Sequence, residues 1–246
     1  MSVKIDIVIP SMGRADRVQT TKAISNAVIC VPESEGDLYR KYNPGVTIET
    51  HPDSVIGLSL KRQWIIEHHK NSFQIDDDIK GINRLYVESG ENPRLDPDEA
   101  YDIIQYIGNC AKLAGCYLFG ISKEANPLAY DEMHPIHLSG VLNGDIGILE
   151  GSKLYFHELA KTVEDYWISA YNAWLYRYCW IDMRFSESSQ AFTQNTGGCA
   201  NIRTVEQEKT DTLFLRKMFG EAIHLKEATK LASLKHEYQR TLKIPW

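Results

Sequence analysis

The sequence lacks any long apolar run. No stretch of about 18 apolar residues occurs, so no helix is expected to span a membrane. The start, MSVKIDIVIP, also lacks a signal-peptide layout, because its apolar run is short and contains Asp6. Cysteine is sparse: Cys30, Cys110, Cys116, Cys179 and Cys199 are odd in number and include no CxxC pair. That argues against a zinc or disulfide framework and reads as reduced thiols in a cytoplasmic protein. Positive charge is in short supply as well, with 27 Lys and Arg against 33 Asp and Glu, a net charge of -6. Non-specific coating of nucleic acid is driven by Lys and Arg on phosphates, so this balance counts against that class while leaving room for a local basic groove. Repeats and low-complexity tracts are missing too.

What is present is an ordinary globular composition, 43% hydrophobic and 24% charged over 246 residues. That suits one large domain, or a domain with a small appendage. Strand and helix patterns alternate along the first half. Strands are expected at Val3 to Ile9, Val28 to Val31, Val46 to Thr50 and Ser72 to Asp76. Helices are expected at Ala15 to Ala27, Glu33 to Tyr42 and Leu58 to His69. Such alternation argues for an α/β fold with a mostly parallel central sheet and flanking helices. A helix from Asp98 to Ala114, capped by Asp96 or Asp98, and a strand at Tyr117 to Ile121 continue the pattern. His137 to Leu149 reads as a hairpin turning at Asn143-Gly144. Glu164 to Tyr178 reads as an aromatic helix, with Trp167, Tyr171, Trp174 and Tyr178 as core or, where exposed, as base-stacking rings. The tail from Thr210 reads as mostly helical with a break at Gly220.

The stretch Phe73-Gln74-Ile75-Asp76-Asp77-Asp78-Ile79 organises the rest. Three adjacent carboxylates repel, so a fold keeps them together most easily with a cation or with solvent. On an extended chain Asp76 and Asp78 share a face and Asp77 points away. A hard divalent cation takes one or two such carboxylates, and phosphate oxygens complete its shell. The pattern therefore suits an Asp-x-Asp clamp on a metal-diphosphate; the alternative is a solvated acidic turn. In parallel sheets ligands bind beyond the C-terminal strand ends, where both this run and the Pro10–Arg14 loop fall.

Other residues carry two readings each. Arg14 is a nucleotide contact or a surface charge. Arg62 is placed to reach a diphosphate with its forked guanidinium, and Lys61 beside it is expected to face solvent. Asp165 is a general base or, with Glu164, a dipole-favoured helix start. His224 is a metal ligand or a structural histidine. His68, His69, His134 and His137 are expected on the surface or in loops. The Asn195–Gly198 loop brings backbone close to a ligand or is an ordinary connection.

Taken in order, IVIPSMGR at 7–14, Leu60-Lys61-Arg62 running into Asp76-Asp77-Asp78, Ser139-Gly140 to Gly147-Ile148, Val163-Glu164-Asp165, Gly197-Gly198 and His224 resemble the GT-A glycosyltransferases. The resemblance implies a single GT-A (Rossmann-like) catalytic domain over 1–246. Residues 1–120 would bind the nucleotide sugar and 121–246 the acceptor. It implies Asp76 and Asp78 as the DxD motif, Asp165 as the base of an xED motif in an inverting enzyme, and His224 as a C-terminal metal ligand. The metal would be Mn2+ or Mg2+ and the donor a UDP-sugar, with Pro10, Arg14, Arg62, Asp76, Asp77, Gly197 and Gly198 around it. More narrowly, the chain is similar to phage glycosyltransferases that decorate hydroxymethylated pyrimidines in DNA. These include ones associated with TET/JBP-type dioxygenases and ones related to hydroxymethylcytosine arabinosylation. DNA with a modified pyrimidine would then be a partner, met by a patch of Arg177, Arg184, Arg203, Arg216 and Lys217 in the cytoplasm of the host cell. The alternatives are a glycosyltransferase for a carbohydrate or protein acceptor, a nucleotidyltransferase, and a non-catalytic nucleotide-binding module.

Overall fold

The computed structural model describes residues 2–88, 91–189, 204–226 and 238–243. The chain opens with β1 (Asp6–Pro10), whose last four residues are buried on both faces, so it reads DIVIP without alternation. The expected helix after it is cut to α1 (Thr20–Ala23). At its start the chain is tied to the acidic run: Gln19 N donates to Asp77 O at 2.8 Å, and the Thr20 side chain donates through Oγ1 to Asp76 O at 2.6 Å. Next come β2 (Val28–Pro32), α2 (Gly36–Tyr42), β3 (Thr47–His51), α3 (Leu58–His68) and β4 (Ser72–Gln74), close to the expected positions. These four strands are parallel in the order β3-β2-β1-β4.

The second half departs more from expectation. β5 (Ile79–Arg84) follows the acidic run directly. α4 (Pro97–Leu113) starts on a capping box in which Asp96 accepts from Asp98 N and Glu99 N, with Pro97 at its first position. Then come β6 (Leu118–Ser122), β7 (Ile136–His137), β8 (Ile146–Ile148), α5 (Glu164–Tyr176) and β9 (Trp180–Ser189). The sheet runs β3-β2-β1-β4-β8-β6-β9-β5, with β7 beside β9. Among the described residues β8, β5 and β7 oppose the other six strands, so the sheet is mostly parallel. The expected hairpin at His137 to Leu149 is not formed. β7 pairs with β9, while β8 inserts between β4 and β6, because Ile146 and Ile148 are wanted in the core and a local hairpin would leave them at an edge. Gly147 sits opposite Phe119 in that insertion, and any Cβ there would stand 2.3 Å from the Phe119 ring.

α6 (Val205–Phe219) matches the helical tail, but β10 (Ile223–Leu225) and β11 (Arg240–Leu242) form an antiparallel pair where helix was expected. One core packs Ile104, Ile107 and Ala111 of α4 against Ile7, Phe73 and Phe119. The opposite face packs Leu118, Ile146 and Ile148 on Ile168. A third cluster ties α5 to α6 and β10 through Trp167, Leu215 and Ile223. Each fully buried side chain of this size contributes about 1.5–3 kcal/mol. Among the described residues no helix is long and apolar enough to cross a membrane.

Candidate active site

β1 and β4 are parallel neighbours, so the Pro10–Arg14 loop and the three aspartates leave the sheet at the same edge. β4 stops at Gln74, two residues short of expectation. Ile75 N still donates to Val8 O at 3.1 Å, and the chain then turns at Asp77 and Asp78. Asp77 is buried under this turn. Its carboxylate accepts from Ser11 Oγ at 2.5 Å and from Arg14 Nη1 at 2.7 Å. Ser11 also meets Tyr39 OH at 2.7 Å, and Tyr39 OH accepts from Arg14 N at 3.0 Å. Burial works against the Arg14 charge, but Asp77, Asp78 and Asp76 outweigh it and raise its pKa. Arg14 is thus a half-buried partner of Asp77 rather than a free surface charge. Asp76 and Asp78 are left half-exposed on the outer side of the turn. Pro10 is buried at the end of β1.

α3 lays two cations beneath the turn. Lys61, expected in solvent, is buried, and its Nζ donates to Ser11 O at 2.6 Å. The loop after β1 passes over that face of α3 and needs a donor for its carbonyl. Arg62 is fully buried. Its Nη2 donates to Asp76 Oδ1 at 3.1 Å and to Gly144 O at 2.9 Å, and its Nε lies 4.0 Å from Glu164 Oε1. Gly144 adopts φ +81°, a conformation that favours glycine, and turns its carbonyl to that guanidinium. Glu164 and Asp165 open α5, and Asp165 Oδ1 accepts from Tyr166 N at 2.7 Å. Glu164 is buried. Its pKa is pushed up to about 7 by desolvation and then by the Asp165 charge, with Arg62 opposing. The helix start is fixed from α6, where buried Asp211 accepts from Thr162 N at 2.8 Å and from Thr162 Oγ1 at 2.6 Å.

Three further residues at this edge were not among the expected site residues. Lys123 follows β6, Asp145 precedes β8, and Glu187 lies on β9 next to the residue paired with Ser122. Lys123 Nζ lies 2.8 Å from Asp145 Oδ1 and makes a shorter ion pair with Glu187 Oε1. Asp145 is fully buried, and its other oxygen accepts from Ile121 N at 3.2 Å. Desolvation raises the Asp145 pKa, with Lys123 opposing. Desolvation, followed by the Asp145 charge, pushes Glu187 up to about 8. One lysine cannot neutralise two carboxylates out of water. Asp76 Oδ2 and Lys123 Nζ each lie 3.0 Å from where a Gly144 Cβ would stand, so this cluster and the acidic turn form one continuous site. Asp145 stood beside a glycine that read as a turn signal; nothing local marks Lys123 or Glu187.

The remaining expected residues are spread differently. Gly197 and Gly198, with the whole Asn195–Gly198 loop, lie outside the described residues, as does Arg203. His224 is on β10 opposite Thr241, and no group of three His, Cys, Asp and Glu spaced to hold a metal occurs among the described residues. A metal here would therefore rest on the two carboxylates Asp76 and Asp78, a donor set that suits Mg2+ or Mn2+ shared with phosphate oxygens. Arg184 is engaged by Asp182 at 2.7 Å and Arg216 by Glu221 at 3.2 Å, because each has an acidic neighbour close in sequence. His69, expected at the surface, bridges Asp6 at 3.2 Å and Glu49 at 2.8 Å where α3 ends against the sheet. Of the α5 rings Trp167 is core, while Trp174 is exposed, as is Tyr178 just beyond the helix.

A site of this kind can hold a cation and a polyanion at its outer turn and move a proton at the start of α5. No curated protein sequence matches the chain. Among solved structures, a crystal structure of S. aureus TarS 1-349 superposes with a TM-score of 0.48 at 10% identity, covering 95% of this chain and 75% of that one. A second crystal structure of S. aureus TarS gives 0.44 at 9% identity, covering 89% and 44%. The family model described as TET-Associated Glycosyltransferase matches residues 5–198. That span holds the sheet, the acidic turn, Glu164-Asp165 and the Lys123 cluster, and the chain therefore belongs to the TET-associated glycosyltransferases and is an enzyme.

Proposed function

We propose that this glycosyltransferase moves glucose or arabinose from a UDP-sugar to the hydroxymethyl oxygen of a 5-hydroxymethylpyrimidine in DNA, with inversion at the sugar. The observation that carries the donor half is the half-exposed pair Asp76 and Asp78, held apart from buried Asp77 at the C-terminal sheet edge and backed by Arg62. Asp76 and Asp78 would hold Mn2+ or Mg2+, which when bound supplies Lewis-acid stabilisation of the leaving diphosphate. Arg62 and Arg14 bring fixed positive charge to the same edge, and Pro10 and Asp77 shape the floor under the nucleotide. The first 120 residues serve the donor, and the acceptor lies over the later half.

Asp165 takes the proton from the acceptor hydroxyl as that oxygen attacks the anomeric carbon. The bond from that carbon to the diphosphate oxygen breaks on the opposite face. Glu164, buried behind it with a raised pKa, keeps a second full negative charge from crowding the base. The acceptor reading is supported by the family to which the chain belongs and by the exposed rings of Trp174 and Tyr178, which suit stacking on unpaired bases. A base to be modified must leave the stack to reach the site. With net charge -6 the DNA footprint is local, and the reaction belongs in the cytoplasm of a phage-infected cell.

The test is incubation with Mn2+, a panel of UDP-sugars and DNA containing 5-hydroxymethylcytosine or 5-hydroxymethyluracil, followed by digestion and mass spectrometry of the nucleosides. A hexose or pentose increment on the modified base is the expected result, and raising salt should lower that yield roughly tenfold or more. Release of UDP with unmodified bases moves the acceptor to a carbohydrate or protein. No UDP and no increment removes the UDP-sugar donor.

A further inference from the structure

Lys123 has three N–H donors and no acceptor. Two of them are committed, one to Asp145 Oδ1 at 2.8 Å and one to Glu187 Oε1. Gly144, lacking a side chain, leaves room beside both Lys123 Nζ and Asp76 Oδ2, each 3.0 Å from where its Cβ would stand. The Glu187 side chain is only 11% exposed, and its Oε2 is buried with no hydrogen-bond partner. Fully buried Arg62, aimed at Asp76 and Gly144 from below, likewise keeps its Nη1 without a hydrogen-bond partner. Leaving a buried polar group unsatisfied costs about 1–3 kcal/mol, more for a charged one. A cluster built for stability alone would close these positions with apolar side chains.

We propose that Lys123, Asp145 and Glu187 form the subsite for the sugar ring of the donor, and that it selects a neutral sugar with free neighbouring hydroxyls over a uronic acid. This rests on the nucleotide-sugar reading above. A hydroxyl both donates and accepts, so a vicinal pair suits this cluster: one oxygen would accept from Lys123 Nζ, and its neighbour would donate to Glu187 Oε2, which has no hydrogen-bond partner. Arg62 Nη1 serves a further oxygen at the junction with the diphosphate. Asp145 makes no contact with the sugar; it anchors Lys123 from behind. The selection follows from charge. Lys123 is already shared between Asp145 and Glu187 out of water, and Arg62 is engaged by Asp76, so a sugar carboxylate arriving there finds no cation of its own in a poorly solvated site.

The experiment is calorimetric binding of UDP, UDP-glucose and UDP-glucuronate with Mn2+ to the full chain, to Glu187→Gln and to Asp145→Asn, each checked for folding by circular dichroism. The wild type should bind UDP-glucose at least about tenfold more tightly than UDP-glucuronate. Glu187→Gln should keep UDP affinity within about twofold, weaken UDP-glucose by roughly tenfold and narrow the glucose-to-glucuronate ratio. Asp145→Asn should weaken UDP-glucose in the same direction through Lys123. If the wild type binds UDP and both sugars equally, or Glu187→Gln leaves the ratio unchanged, the subsite is overturned while the donor reading stands. If the wild type binds neither UDP nor either sugar, the donor reading falls and the subsite falls with it.

Discussion

Two clusters of carboxylates share one edge of the sheet, and they are built in opposite ways. Asp76, Asp77 and Asp78 are consecutive, and a single turn sorts them into two half-exposed groups and one buried anchor. Lys123 just after β6, Asp145 just before β8 and Glu187 on β9 are far apart in the chain and meet only because β8, β6 and β9 are neighbours in the sheet. The first cluster keeps its charges apart by pointing them in different directions. The second keeps them together by placing a cation between them and holding them out of water. The difference separates two tasks: an open carboxylate pair can share a metal with phosphate oxygens, whereas a closed, partly unsatisfied cluster suits neutral hydroxyls.

The comparison breaks most visibly at the outer turn. Replacing Asp76 and Asp78 together by Asn should lower turnover by at least about 10³-fold and abolish its dependence on Mn2+ while the melting temperature holds, as a metal titration of activity would read. A variant that still responds to Mn2+ would remove the metal from the turn. Next in size is Asp165→Asn. Loss of a general base typically costs 10²–10⁴-fold, so kcat should fall by about that factor with UDP-sugar affinity intact. Glu164→Gln should cost far less; equal losses in the two variants would hand the base role to the buried glutamate.

A stability contrast sharpens the picture within the turn itself. Asp77→Ala strips the buried partner from Arg14 and Ser11 and should cost about 3 kcal/mol in urea unfolding. The same change at half-exposed Asp76 should cost about 1 kcal/mol or less. Similar costs would mean that the turn does not divide the aspartates as the geometry does. A pH-dependent effect belongs to the inner cluster. Glu187 is raised from 4.5 to about 8, so the folded state holds its proton more tightly than the unfolded state does. Its contribution is therefore intact below about pH 4.5 and is lost as pH rises toward 8. Glu187→Gln removes that loss, so its melting temperature relative to wild type should climb by on the order of 5 °C between about pH 5 and about pH 8. A constant difference would mean that Glu187 ionises normally.

Much of the first half was legible from residues alone. DIVIP and VICVP are buried on both faces and say so by failing to alternate, and α4 announces its start with Asp96-Pro97-Asp98-Glu99. The expected division of the three aspartates is found, but a turn makes it rather than the pleat, since β4 ends at Gln74. Errors gathered where distant partners outweighed local pattern. Gln19 and Thr20 bond the acidic turn where a longer helix was expected, Lys61 turned inward to a loop carbonyl, and the Asn143-Gly144 signal made no hairpin because β8 was drawn between β4 and β6.

The sequence by itself determined the parallel half of the sheet, the edge at which the acidic run sits, and the consecutive carboxylates that mark it. These follow from apolar periodicity and from side chains only one or two residues apart, whose directions the backbone sets. Only the tertiary structure decided the inner cluster, the burial of Arg62 beneath Asp76, and the fixing of the α5 start by Asp211 from α6. Those contacts join residues far apart in the chain, and strand order and desolvation, neither of which is a local property, bring them together.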